Sequence, residues 1–290
     1  MKNTKILQRG NVSSILKIFL NRKLITSCIK VLWSIQTRFF ALQYIAVLFP
    51  KKFKFTSVDH SLDDLIPFMP SYAKIYMDFT PFWIRTQAFL LENFGKQSVV
   101  FIKEFIASIN MIYRRAAMVY KKNFSTTKRP VCKDSAIVKM IHKIDPHLMC
   151  IPSLHIMVIV WTYTKMRLIM RSLSCETQYE QQLKDLRLHA VKIADSVLYL
   201  KQHSINCIAA ALYTLTVIDE SVVAQCEAED FIDLLLVNST DIDIDGVCKI
   251  RTYIKELYRS FLDQYKNNPQ ESWEKVLLDF LENYNSKGVI

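Results

Sequence analysis

The sequence predicts an all-α protein: a helical bundle with a membrane-associated surface and a helical C-terminal appendage. Three observations lead there. Glycine is scarce, with only four residues beside eight prolines, which argues against glycine-rich phosphate loops and turn-dense all-β folds. Half of the chain is apolar, 51% by residue, so 290 residues suffice to bury a core without disulfide staples. Residues 1–58 hold eleven Lys/Arg and no acidic residue, the first being Asp59. A basic, apolar arm of this kind suits an anionic lipid surface.

Taken in order, the arm comes first. Ile, Leu, Phe and Trp interrupt its charges too densely for a solvated nucleic-acid tail, so no nucleic-acid partner is expected. A helix is expected over 12–48. A second follows over 62–92, punctuated by Pro67, Pro70 and Pro81. Further helices are expected over 96–122, 152–172, 176–218, 221–237, 246–266 and 270–284. The stretch 121–151, with Pro130 and Pro146, reads as the least regular part. Residues 59–218 read as one helical domain. Residues 219–290 read as an acidic loop and a helical appendage, since 219–247 carries nine Asp/Glu and no Lys/Arg. Asp241-Ile-Asp243-Ile-Asp245-Gly246 mimics the opening of a calcium loop. Thr252 stands where that loop needs a bidentate Glu, so the run is read as a cap on the next helix.

No window offers about 20 apolar residues free of charge. Residues 151–164 and 204–218 lack Asp, Glu, Lys and Arg but are short, and 98–113 contains Lys103 and Glu104. Two arrangements stay open: spans that carry functional polar residues, or helices that lie in the interface or pack in a core. No secretory signal pattern is expected. Seven cysteines are scattered without a Cys-x-x-Cys pair, which argues against a disulfide framework or a zinc site. Reduced thiols on the cytosolic side of a membrane fit this usage.

Three short runs carry the chemistry. Lys122 is followed, after six residues, by Arg129-Pro130; Pro152-Ser153-Leu154-His155 comes next; Lys201-Gln202-His203 lies in an apolar stretch about fifty residues on. In order and spacing these runs resemble the three signatures of the type 2 phosphatidic acid phosphatase and vanadium haloperoxidase superfamily. The resemblance covers roughly residues 60–218. It implies a helical bundle of that kind and a membrane phosphatase that hydrolyses lipid phosphates without a metal or other cofactor. In that scheme His203 attacks phosphorus and forms a phosphohistidine. His155 protonates the departing alcohol and then activates water. Lys122, Arg129 and Ser153 hold the phosphate oxygens.

Two positions depart from the resemblance. The family's carboxylate, four residues after the nucleophilic histidine, is Cys207 here. A thiol is a poor acceptor and cannot hold the imidazole tautomer or stabilise the imidazolium. The family's arginine in the third run is Val197, and Lys201, one helical turn on, is expected to bring a charge to the same wall. An alternative therefore stands beside the enzyme: a catalytically inactive, phosphatase-like protein that binds lipid phosphate or a protein partner at a membrane. His142, His147 and His189 match no signature and are read as structural.

Overall fold

The computed structural model describes residues 5–284. Helix accounts for 71% and strand for 2%, so the all-α expectation holds. Two helices form the centre, and their sequences show why. α8 (Leu154–Ser172) and α10 (Ile205–Ile218) bury side chains around nearly their whole circumference, and helices apolar on every side belong inside. α5 (Phe79–Phe94), α6 (Val99–Tyr120) and α9 (Glu180–Tyr199) pack against α8. α12 (Ile244–Asn267) lies along α10. α12 buries Val247, Ile250, Ile254, Tyr258 and Phe261, spaced three and four apart as one helical stripe.

The C-terminal region is part of this core and not an appendage. The Tyr213 hydroxyl donates to the Trp273 carbonyl at 2.8 Å, and the Tyr253 hydroxyl to Asn206 Oδ1 at 2.7 Å. One continuous apolar cluster runs from Ile6 to Leu281. α11 (Gln225–Leu234) and α13 (Trp273–Asn283) complete it. Asp243 caps α12 by accepting from the Gly246 N–H at 2.6 Å, which bears out the capping role given to that acidic run.

Three expected helices are broken. The stretch 12–48 divides after Phe19. The stretch 62–92 resolves into 3-10 turns at Ser61–Leu65 and Pro70–Tyr72, the short α4 (Ala73–Tyr76), and α5. The stretch 176–218 breaks between α9 and α10. There Lys201 adopts φ +52°, the Lys201 N–H bonds the Leu198 carbonyl, and the Gln202 N–H bonds the Val197 carbonyl. That pair of bonds is a Schellman C-cap with lysine in the left-handed position usually held by glycine. Residues 121–151 are more ordered than expected. They contain α7 (Ala136–Ile144) and strand β2 (Phe124–Thr126), which pairs in parallel with β1 (Phe55–Ser57).

The arm consists of α1 (Asn11–Phe19), α2 (Ile25–Ile35), a π-helical turn at Gln36–Phe40, and α3 (Ala41–Leu48). Arg85 anchors its start, donating to Asn11 Oδ1 at 2.7 Å while it forks onto Asp78. Glu92 pairs with Arg9 and Lys17. α2 packs on α6. The outer face of the arm stays bare: among the described residues, 13 of the 23 exposed large apolar side chains lie between Val12 and Phe49, a concentration that marks an interaction surface. Ile25–Leu48 is long and apolar enough to cross a membrane by length and composition, and only 22% of its apolar window is buried.

Candidate functional site

His155 and His203 converge, each placed by a capped helix start. Ser153 is the N-cap of α8, its Oγ 3.5 Å from the Ile156 N–H it accepts from; His155 is thereby held in the first turn. Its ring lies against Tyr76 and Phe79, at centroid distances of 4.8 and 4.5 Å. His203 sits in the turn between α9 and α10. Asp63 grips that turn from outside: its Oδ1 accepts the Ile205 N–H at 2.9 Å, and its carbonyl accepts from Lys201 Nζ. The two imidazole centroids are 5.5 Å apart, with the rings at 61°.

A third imidazole joins them. His147, read from the sequence as structural, has its ring 6.1 Å from that of His203. Its Nε2 lies 2.5 Å from Thr127 Oγ1 and 3.8 Å from Cys150 Sγ. The sequence signal that could have found it is its place after Pro146 in an irregular segment, and its backbone takes a left-handed φ of +65°. Asp145 is the second missed residue. Its Oδ1 accepts from Gln43 Nε2 at 2.6 Å and from the His147 N–H at 2.9 Å, and its carbonyl accepts from Arg129 at 2.8 Å. Arg129 also donates to Gln202 Oε1 at 2.6 Å. Asp145 thus joins the arm, the arginine and the histidines. Among the described residues no group of three or more His, Cys, Asp or Glu side chains is arranged to hold a metal ion.

Burial sets the charge state. It pulls His155 down to about 4, with Arg129 pushing the same way and Asp145 opposing. Burial, then His155 and Arg129, hold His203 well below the ordinary imidazole value, while the Cys150 carbonyl acts in the other direction. His147 is lowered likewise, first by burial and then by Arg129. All three rings are neutral at physiological pH. A neutral ring is what a histidine nucleophile needs.

Two spaces adjoin the cluster. Between the three histidines, Asp145, Phe39 and Gln43 lies a cavity of about 10 Å³, room for one water. Outside it runs an apolar groove of about 350 Å³ between the arm and the bundle. Ile35, Phe39 and Phe40 of the arm form one wall, Phe79, Trp83 and Val158 the other, and His155 and Asp145 stand at the inner end.

The other expected site residues divide. Arg129 is near enough to lower the pKa of all three imidazoles, whereas the buried Ser153 hydroxyl serves as the cap of α8. Lys122 points elsewhere: its Nζ faces Glu274 of α13 at 3.6 Å and its side chain is mostly exposed. It follows the end of α6, where the nearest carboxylate draws it away from the histidines. Lys201 turns to Asp63 and lines a polar pocket with Asp59, Asp64, Lys128 and Arg129, which none of the three clustered histidines lines. Its left-handed backbone takes it off the face of Val197, which is buried against Tyr76 and Ile141. Cys207 is fully buried in the first turn of α10. Among the described residues, His203 Nδ1 has no hydrogen-bond partner.

No family model, curated protein or solved structure matches the chain.

Proposed function

We propose that the protein is a hydrolase of lipid phosphate monoesters, working at a membrane through His203 and His155. One observation carries the reading: two neutral imidazoles from separate elements lie 5.5 Å apart beside Arg129, at the inner end of an apolar groove. The groove accepts acyl chain and the cluster accepts phosphate. The resemblance of the three sequence runs supports the same assignment, and the bare apolar face of the arm supports a membrane location.

In this reading His203 attacks phosphorus and the bond to the lipid alcohol breaks. Arg129 neutralises charge on the phosphate oxygens. His155 delivers a proton to the leaving oxygen. Its low pKa in the empty site leaves it without that proton at neutral pH. A phosphate monoester, whose second pKa is near 6, brings both a proton and the negative charge that favours imidazolium. Water then attacks the phosphohistidine with His155 as base, which releases inorganic phosphate and restores His203. Phosphate does not fit in 10 Å³, so Phe39 and Gln43 move aside when substrate enters.

A second reading, a lipid-phosphate binder without turnover, is favoured by the orphaned His203 Nδ1 and the outward Lys122. The test is phosphate release from short-chain phosphatidate in mixed micelles by wild type and His203→Ala. The enzyme reading expects release that falls to background in the variant. Equal release by the two proteins removes His203 as nucleophile; no release by either, with phosphatidate still bound, leaves the binder.

A further inference from the structure

We propose a second anion site, lined by different residues from the histidine cavity, that takes the phosphate group of an anionic lipid. It lies where the π-helical turn of the arm crosses α6, in a pocket of about 390 Å³ lined by Arg38, Arg114, Arg115 and Lys121 with Met111 and Met118. No carboxylate lines it. The arginines elsewhere show how unusual that is. Of the twelve in the chain, eight donate to a carboxylate or carbonyl or pair with one: Arg9, Arg85, Arg129, Arg167, Arg171, Arg187, Arg251 and Arg259. The other four, Arg22, Arg38, Arg114 and Arg115, have no acceptor among the described residues, and three of these four meet in this pocket.

Gathering like charges in one concavity is unfavourable unless an anion completes it. Arginine forks match phosphate oxygens in pairs. The polar pocket beside Lys201 makes the contrast: Asp59, Asp63 and Asp64 line it together with Lys128, Arg129 and Lys201. Location selects the source. α2, which packs on α6, leaves Ile29, Leu32 and Trp33 exposed, and Met118 on α6 is exposed as well. Exposed apolar side chains on the same helices as a basic pocket large enough for a phosphate group suit a headgroup at the lipid surface.

The experiment uses the full chain and the variant R114Q/R115Q, with K192Q/K266Q as a charge-matched control. Lys192 and Lys266 are exposed residues on α9 and α12. Co-sedimentation is measured with phosphatidylcholine vesicles with and without phosphatidylserine, and thermal stabilisation by inorganic phosphate is measured in parallel. Each Lys/Arg near an anionic surface accounts for roughly a fivefold change in partition, so the pair lowers binding to the anionic vesicles by about 10- to 30-fold. The control changes it by about twofold at most under the same screening. Loss on vesicles alone assigns the pocket to a lipid headgroup. Loss of stabilisation by inorganic phosphate as well shows that it also takes the free anion. Equal losses in variant and control, or none in either, overturn the proposal. Because the readout is binding, the result is independent of phosphate release at His203.

Discussion

Gln43 is the latch of the histidine cluster, and removing it gives a test that needs no turnover. The residue is buried, its Nε2 donates to Asp145 at 2.6 Å, and it walls the small cavity together with Phe39. A hydrogen bond to a charged acceptor contributes about 1.5–3 kcal/mol. Gln43 Oε1 has no hydrogen-bond partner among the described residues, and losing a buried orphan returns on the order of 1 kcal/mol. Gln43→Ala therefore weakens arm closure by about 1.5 kcal/mol, roughly a tenfold rise in the open fraction. The assay is acylation of the imidazoles by diethyl pyrocarbonate, followed residue by residue by mass spectrometry. Neutral rings are the reactive form, and burial holds both of these neutral. In wild type His155, which keeps some exposure toward the groove, reacts before His203, which is 7% exposed. In the variant His203 reacts about tenfold faster, in proportion to the open fraction. An unchanged His203 rate would refute the arm as its cover.

Two further outcomes follow from the site. His155 is pulled to about 4 in the folded chain against an ordinary 6.5, so between those values the unfolded chain binds the extra proton. The neutral ring's contribution is complete above 6.5 and is lost as pH falls through 4, on the order of 3 kcal/mol. Wild type should lose that much stability relative to His155→Gln between about pH 7 and pH 4 in urea titrations; a constant difference contradicts a buried neutral ring. The comparison cancels Asp63 and Asp195, which burial raises to about 6 and about 7 and which act in the opposite sense. Lys122→Gln should leave phosphate release within about twofold, whereas Arg129→Gln should lower it by about a hundredfold or more, the usual effect of removing one stabilising donor. Equal losses would place Lys122 back at the phosphate.

Much of the helical framework was legible because composition and periodicity are local. α6, α8 and α12 fall within a few residues of their expected bounds. What escaped was geometry set by contacts distant in sequence. The break after α9 carries no glycine or proline; Lys201 takes the left-handed cap while Asp63, 138 residues away in sequence, holds its side chain. The short parallel pair of Phe55–Ser57 with Phe124–Thr126 likewise gives no local pattern. At the site, His155 and His203 lie 5.5 Å apart, and Arg129 is near enough to lower the pKa of both. Lys122 does not join them, because Glu274 competes for it from a helix that the runs do not cover. Asp145 escaped because it is part of no repeating spacing, and His147 because its one signal, the place after Pro146, is weak; their value lies in the hub that Asp145 makes between Gln43, Arg129 and the His147 backbone.

The grip of Asp63 on the turn before α10 has one more consequence. A turn tied at the Lys201 side chain and at the Ile205 N–H, to one residue of a distant segment, has little freedom left to lose when a ligand arrives. Under the proposed function, the aim of His203 is thus fixed during folding, and any adjustment to different lipids falls to the arm. Variation in which lipids are accepted should then track residues 32–43, while the α9–α10 corner behaves as an invariant template.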